Sequence, residues 1–320
     1  MLTGRANTIC IYRILSEHSD ECHPLSINEI IEYLKCEYGL SIDRRTVYSS
    51  IETLKELDYD ISTYDENKRG YYLKTRVLSI ADVRLICDAL YSLYSVSNKQ
   101  TEELVERLQS VLSEHSRQYF KHLTSIASPR KTDNSSVFKN IGSIDHAISK
   151  RVKISFTYMQ YGLDKKLHPR RSELYIVSPY GMVCENGNYY LLCVKDGKSE
   201  LSHYRIDLMK DVRILATRVE SKVSAFDIAN AKKAVYAYAG KPEEIILRCH
   251  KRMISGLIDR FGTEPRIHKL DDSYFIAKIK AVPQGILFWT MQYLSDVEIL
   301  EPAFLRWQAI EMIKSNLYDI

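Results

Sequence analysis

The 320-residue sequence contains no C-x-x-C pair, and its seven cysteines (Cys10, Cys22, Cys36, Cys87, Cys184, Cys193 and Cys249) are dispersed and odd in number. That pattern argues against a structural zinc site and against a disulfide framework, and it fits a reducing compartment. There is no run of 18 apolar residues, so no transmembrane helix is expected. The opening MLTGRANTICIYRIL is too interrupted for a signal peptide, and a cytoplasmic protein is the expectation. No P-loop, G-x-S-x-G or H-E-x-x-H motif occurs, Cys193-x-x-Asp196 lacks a companion base, and the carboxylates are scattered. The sequence therefore gives no reason to expect an enzyme, a cofactor or a metal. Internal repeats are also lacking.

What is present is a 45% hydrophobic chain, long enough for two or three domains, with an uneven charge. The net charge is only +4, but residues 1–76 hold 10 Lys and Arg against 13 Asp and Glu, a balance of −3. Residues 151–171 (RVKISFTYMQYGLDKKLHPRR) hold six bases against one acid. A nucleic-acid contact in the first region must come from a local cluster, whereas the middle region suits an anionic ligand.

Apolar residues at helical spacing predict a first helix over residues 8–17. Ser26, with Glu29 three positions on, predicts a capping box for a second that stops near Gly39. Asp43 caps a third, DRRTVYSSIETLKEL, whose Val47, Ile51 and Leu54 form the buried stripe. Two strand-like pieces, DISTY and GYYLK, follow, joined by the charged turn DENKR. Three helices and a hairpin in this order make a winged helix-turn-helix. With the stripe inward, Arg44, Arg45, Tyr48 and Ser49 face outward, and Arg44, Arg45 and Thr46 occupy the first turn. Helix N-termini favour phosphate, and arginine can read guanine in the major groove. Lys68 and Arg69 at the wing tip complete the candidate DNA-binding set as clamps on the flanking backbone.

Helical periodicity continues over 79–96 and 101–123, and SPRKTDNSS (128–136) reads as a polar linker. A helix over 140–150 then leads into a run of short strands through residue 215, as expected for a small barrel or compact sheet. Within it, Asn186-Gly187 predicts a hairpin turn before Tyr189-Tyr190-Leu191. The Ala- and Lys-rich stretch 225–241 reads as an exposed connection. Alternating strands and helices from residue 242 onward fit a small α+β domain.

Several phrases resemble the bacterial WYL-domain transcriptional regulators. Tyr189-Tyr190-Leu191 matches the Trp-Tyr-Leu triplet with Tyr in place of Trp. Tyr204-Arg205-Ile206-Asp207-Leu208-Met209 matches a Phe-Arg-Leu-Asp-Arg-Ile motif, with Leu208 for its second Arg. Asp43–Ser50 is similar to the recognition-helix phrase Ser-Arg-Arg-Thr-Val-Tyr-Arg-Asp without its last basic–acidic pair, and Val297–Pro302 is similar to the closing strand. The resemblance covers nearly the whole chain. It implies an α+β protein with a winged helix-turn-helix (1–76), a helical linker (77–127), an Sm- or SH3-like five-stranded barrel, the WYL domain (137–222), and a C-terminal WCX extension (242–320). It also implies a homodimer that senses a nucleotide-like or single-stranded nucleic-acid effector while reading a duplex operator.

Strand alternation puts Tyr189 and Leu191 on one face and Tyr190 on the other, and separates Tyr204 and Ile206 from His203, Arg205 and Asp207. If Tyr190 shares a side with His203 and Arg205, an aromatic ring and a cation converge, which suits phosphate or a nucleotide. Arg170 and Arg171, Tyr158 on the preceding strand, and Lys165 and Lys166 nearby extend the candidate effector site. The blander alternative is a solvated strand face with an Arg205–Asp207 ion pair. A second class of function is a nucleic-acid-binding accessory factor of a defence or repair system without gene control.

Overall fold

The computed structural model describes residues 6–120, 131–219 and 242–315, and the chain divides into two units, 1–135 and 136–320.

The first unit opens with α1 (Asn7–His18), α2 (Ile27–Tyr38) and α3 (Arg44–Glu56), packed around Ile11, Ile14, Leu15, Ile30, Leu34, Val47, Ile51 and Leu54. The caps sit where the residues dictate. Ser26 and Glu29 close a reciprocal capping box, Gly39 ends α2 at φ 65°, and Asp43 Oδ1 accepts the Thr46 N–H at 2.7 Å.

The wing differs from the expected five-residue strands. Its strands are β1 (Ile61–Ser62) and β2 (Tyr72–Leu73), and the tip between them is the helical turn α4 (Tyr64–Asn67). The side chain of Asn67 organises that tip. Its Nδ2 donates to Ser62 Oγ and Gly70 O at 2.8 Å each, and its Oδ1 accepts the Arg69 and Gly70 N–H groups at 2.6 and 2.8 Å. Tyr71 then exchanges main-chain hydrogen bonds with Leu25 at 2.8 and 2.7 Å. Gly70 is needed there, because a Cβ would lie 2.5 Å from the Leu25 carbonyl oxygen.

Next come α5 (Ile80–Ser92), α6 (Asn98–Gln109), α7 (Glu114–Arg117) and a 3-10 turn at Gln118–Phe120. The helix expected over 79–96 ends at Ser92. There Lys131 Nζ donates to the carbonyls of Leu90, Leu93 and Val96 and to Thr101 Oγ1, taking the last carbonyls that a longer helix would have used. Lys131 and Thr132 are therefore buried in this unit instead of lying in a solvated linker. The helix expected over 101–123 breaks after Gln109, and Ser113 then caps α7 and donates to Asp20 at 2.8 Å. Its last residues, 121–123, lie outside the described ones.

Sequence patterns gave no sign of the role of His18. Its Nε2 lies 2.7 Å from Glu37 and its Nδ1 2.9 Å from Glu114, and its ring stacks on Tyr33 at 4.2 Å. Bonding two carboxylates with both ring nitrogens requires the imidazolium. Burial disfavours that charge, but the hydrogen bonds and charges of Glu114 and Glu37 outweigh it and raise the pKa above the usual histidine value.

The second unit begins with α8 (Val137–Lys150), then β3 (Val152–Tyr161), β4 (Leu167–Pro169), β5 (Tyr175–Glu185), β6 (Asn188–Lys195) and β7 (Leu201–Arg205). A 3-10 turn (Ile206–Leu208) and β8 (Met209–Arg218) follow. The sheet runs β4-β3-β5-β6-β7, with β8 returning to pair with β3. The first long strand thus sits between the second and the last, the order expected of an Sm- or SH3-like sheet. Asn186 (φ 49°) and Gly187 (φ 74°) form the two-residue turn between paired Glu185 and Asn188. Asn140 Nδ2 donates to Met209 O at 3.1 Å and ties α8 to β8. The stretch 225–241, expected as a connection, lies outside the described residues.

The C-terminal domain comprises β9 (Glu243–His250), α9 (Ile254–Phe261), β10 (Arg266–Lys269), β11 (Tyr274–Ala281), α10 (Pro283–Gln292), β12 (Val297–Glu301) and α11 (Ala303–Lys314). Its sheet order is β10-β11-β9-β12, all antiparallel, and α9 and α10 supply the crossovers of a β-α-β-β-α-β split arrangement.

Candidate nucleic-acid interface and effector site

On α3 the burial of Val47, Ser50, Ile51 and Leu54 leaves Arg44, Arg45, Tyr48 and Ser49 exposed, with Thr46 half-buried behind its cap. Arg44 is partly committed, since its Nη2 donates to Asn28 Oδ1 at 2.9 Å and braces α3 against α2. The Arg45 side chain has no hydrogen-bond or ion-pair partner among the described residues, and it is the unspent cation of the helix. Tyr48 is 47% exposed and meets Tyr71 edge-on at 6.3 Å, linking the helix to the base of the wing.

The two expected wing cations part company. Lys68 stands at the tip in the left-handed conformation (φ 58°), with Asp65 3.9 Å away. Arg69 folds back. Its Nη2 donates to Cys22 O at 2.8 Å and its Nη1 to Glu21 O at 3.5 Å, so it fastens the wing to the α1–α2 loop. The structure therefore leaves Arg44, Arg45, Tyr48, Ser49 and Lys68 on the open side and ties the still exposed Arg69 back onto the α1–α2 loop.

In the second unit, strand register answers which residues share a face. Tyr190 pairs directly with Arg205, and Leu192 with His203, whereas Leu191 pairs with Tyr204. Tyr190, His203 and Arg205 thus lie on one side. On the other, Leu191 and Cys193 are fully buried, with Tyr189 and Tyr204 packed against the same core.

Strand alternation ends at Arg205. The 3-10 turn swings Asp207 under Arg205, and the pair is bidentate, with Nε to Oδ1 at 3.1 Å and Nη2 to Oδ2 at 2.8 Å. The Asp207 side chain is 1% exposed and that of Arg205 31%, so the pair is anchored in the protein and is not a solvated strand contact. The second edge of the guanidinium, Nη1 and the remaining Nη2 hydrogen, makes no hydrogen bond among the described residues.

Beside this pair lies an aromatic cluster that sequence reading did not assemble. Tyr158, Tyr175 and Tyr204 surround Phe156, with ring centroids 5.0–6.2 Å apart. The Arg205 N–H donates to Tyr158 Oη at 3.2 Å, which joins the cluster to the ion pair. Arg171 stacks on Tyr175 with its guanidinium carbon 3.7 Å from the ring centre, held by the carbonyls of Glu173 and Leu174. Arg170 is exposed. Its main-chain N–H bonds Tyr158 O at 2.8 Å, and its charge is felt at the Tyr158 and Tyr204 phenols.

Burial pushes the Tyr204 phenol up to about 12, and it raises those of Tyr158 and Tyr190 as well. These hydroxyls remain neutral and can donate hydrogen bonds to an anion. Tyr158 thus has Arg205 and the charge of Arg170 beside it, Arg171 sits on the neighbouring Tyr175, and Tyr190 stands beside Arg205. His203 lies two positions along β7, roughly 7 Å away. Lys165 and Lys166 occupy the tip of the β3–β4 arm. Three residues of strand, roughly 10 Å, separate Tyr158 from that arm's base at Tyr161. Tyr175 is the member that no sequence pattern singles out, and the Arg205–Asp207 pair is buried on its Asp207 side instead of solvated.

Residues 139–214 match the WYL domain family. The uncharacterized HTH-type transcriptional regulator YobV of Bacillus subtilis (strain 168) is 23% identical over 283 residues, covering 84% of this chain and 87% of that protein. Among solved structures, proteasome accessory factor B/C (PafBC) of Arthrobacter aurescens aligns over 96% of this chain at 15% identity and a TM-score of 0.29. This chain covers 48%, about half, of that chain's length. A CRISPR Cas-related protein aligns over 94% of this chain and 96% of its own, at 12% identity and a TM-score of 0.39. The chain thus carries a WYL domain at residues 139–214, with a winged helix-turn-helix ahead of it in the sequence.

Proposed function

We propose that the protein is a DNA-binding transcriptional regulator without enzymatic activity, in which α3 enters the major groove and the WYL domain senses an anionic, nucleotide-like or single-stranded nucleic-acid effector. The observation that carries the DNA-binding reading is the outward face of α3. Arg45 is exposed and unspent at the helix N-terminus, Tyr48 and Ser49 continue the face, and a wing stands beside it. The HTH-type name of the YobV relative supports the same reading. With a charge balance of −3 over residues 1–76, a single copy holds duplex DNA weakly. The protein therefore acts as a homodimer on a two-half-site operator.

In the WYL domain, Arg170 and Arg171 grip the effector's phosphate, the free edge of Arg205 adds a second contact, and the phenols of Tyr158 and Tyr190 donate or stack. Effector binding shifts the balance between dimer arrangements and so the half-site spacing that is read. The protein works in the cytoplasm. The test is gel retardation of its own upstream DNA. Arg45→Ala is expected to abolish the sequence-specific complex while the dimer, followed by sedimentation, persists. Undiminished specific binding by that variant would remove α3 as the reading element.

A further inference from the structure

The four-stranded sheet of the C-terminal domain has two unlike faces. One carries Ile245, Leu247, Cys249, Phe275, Ala277 and Ile279 into the core under the helices. The strand period of two turns the alternate residues outward. They include Arg248 and His250 on β9, Tyr274, Lys278 and Lys280 on β11, and Arg266 on β10, with Ile246 and Ile276 between them and the acids Glu244 and Glu298 at the margins. Register brings them together. His250 lies opposite Tyr274, and Arg266 opposite Lys278. The Tyr274 and His250 rings meet edge to face at 5.4 Å, and the Arg248 guanidinium lies 5.2 Å from the Tyr274 ring centre. Both rings stand on the two central strands, β11 and β9.

The charge of this face is biased. Its two acids are already engaged, Glu244 with Lys278 at 2.7 Å and Glu298 with Arg248 at 2.8 Å, while Arg266 and Lys280 are exposed and make no ion pair among the described residues. Where those two cations stand, a cleft of about 840 Å³ opens, floored by the loop 262–265 and lined by four bases, Arg260, Arg266, Lys278 and Lys280, against two acids, Glu244 and Glu264.

We propose that this sheet face is a second binding site, one for single-stranded nucleic acid. An unstacked base lies on Tyr274 against the wall of His250, and the phosphate backbone runs along Lys278, Lys280 and Arg266 into the cleft. An aromatic platform on the central strands of a four-stranded sheet, flanked by cations, recognises bases that are free of a duplex. A base-paired helix cannot offer a base face to a flat sheet. The site goes beyond the effector reading of the WYL domain and does not depend on it.

The test is fluorescence anisotropy of the full chain with fluorescein-labelled oligo-dT and oligo-U of about 12 nucleotides, a span one small sheet module covers. Tyr274→Ala is expected to weaken binding about tenfold and Tyr274→Phe to leave it near the parent, as stacking requires. Arg266→Glu with Lys280→Glu, both on the surface, is expected to weaken it at least tenfold and to flatten its salt dependence. Because the proposed WYL-domain site and α3 could also hold an oligonucleotide, the same sheet variants are compared in an Arg205→Ala, Arg45→Ala background, where the same losses are expected. Binding of oligo-dT, oligo-U or both supports the site, and the preferred sugar identifies the ligand. The proposal is overturned if neither strand binds, or if a duplex binds this face equally well. It is also overturned if, in the Arg205→Ala, Arg45→Ala background, oligonucleotide binding is lost or the sheet variants bind within twofold of that background. Dimerisation that the charge reversal abolishes, without oligonucleotide affinity, would assign the face to a second copy and overturn it as well.

Discussion

Arg205 serves two ends at once, and its variants separate them. One edge of its guanidinium is fixed on buried Asp207, and the other is free for a ligand. Arg205→Ala takes the bidentate partner from a buried carboxylate, and since Arg205 itself is about a third exposed the expected loss is about 2–3 kcal/mol, below that of a fully buried pair. Arg205→Lys keeps the charge but not the fork, so it recovers part of that loss without recovering the effector response. Urea unfolding and effector titration of the two variants check this. An equal effector response in both would place the anion elsewhere. Gly70 gives a sharper steric case. Its missing Cβ would sit 2.5 Å from a main-chain oxygen, so Gly70→Ala is expected to cost about 1–3 kcal/mol and to shift the wing. A urea midpoint equal to the parent's would contradict the close approach of the wing to Leu25.

Among the elements, α1, α2 and α7 are joined through one titrating group. His18 gains its two carboxylate partners on folding, and its folded pKa is raised above the unfolded value near 6.5. Its contribution is therefore complete below about pH 6.5 and is lost as pH rises through the folded value. Thermal melts across mildly acidic to alkaline pH should show the first unit weakening with rising pH, more steeply in the parent than in His18→Gln. Parallel profiles would contradict the coupling. Ser26→Ala should cost about 1 kcal/mol, the usual worth of such a cap, measured by chemical denaturation.

These elements also mark how far the sequence could be read. Ser26, Gly39, Asp43 and Ser79 act within three or four residues of themselves, and periodicity was enough to place α1–α3 and most strands. Alternation sorts residues within each strand, but the siding of Tyr190 with Arg205 needs the register of β6 on β7, which the sequence leaves open. The rest depends on distant partners. Lys131 ends α5 from about 40 positions away, Arg69 turns to carbonyls of the α1–α2 loop, and Asp207 leaves the strand face because a 3-10 turn replaces the strand. Nothing local singles out Tyr175 among 23 tyrosines, or groups it with Tyr158 and Tyr204, until the sheet brings them together.

For the whole molecule, the winged helix supplies a small reading face, the WYL domain an anion-binding corner, and the C-terminal domain a basic, aromatic sheet. The first of these carries the proposed activity and must discriminate one DNA sequence from all others despite the acidic balance of its own region. The most direct measurement is recovery of bound fragments from host genomic DNA by the full chain and by Arg45→Ala in parallel. The parent should enrich a small set of duplexes sharing two related half-sites about 10 base pairs, or a multiple of that, apart, and the variant should lose the set. An unenriched, salt-sensitive collection from the parent, or the same enriched set from both proteins, would contradict the account.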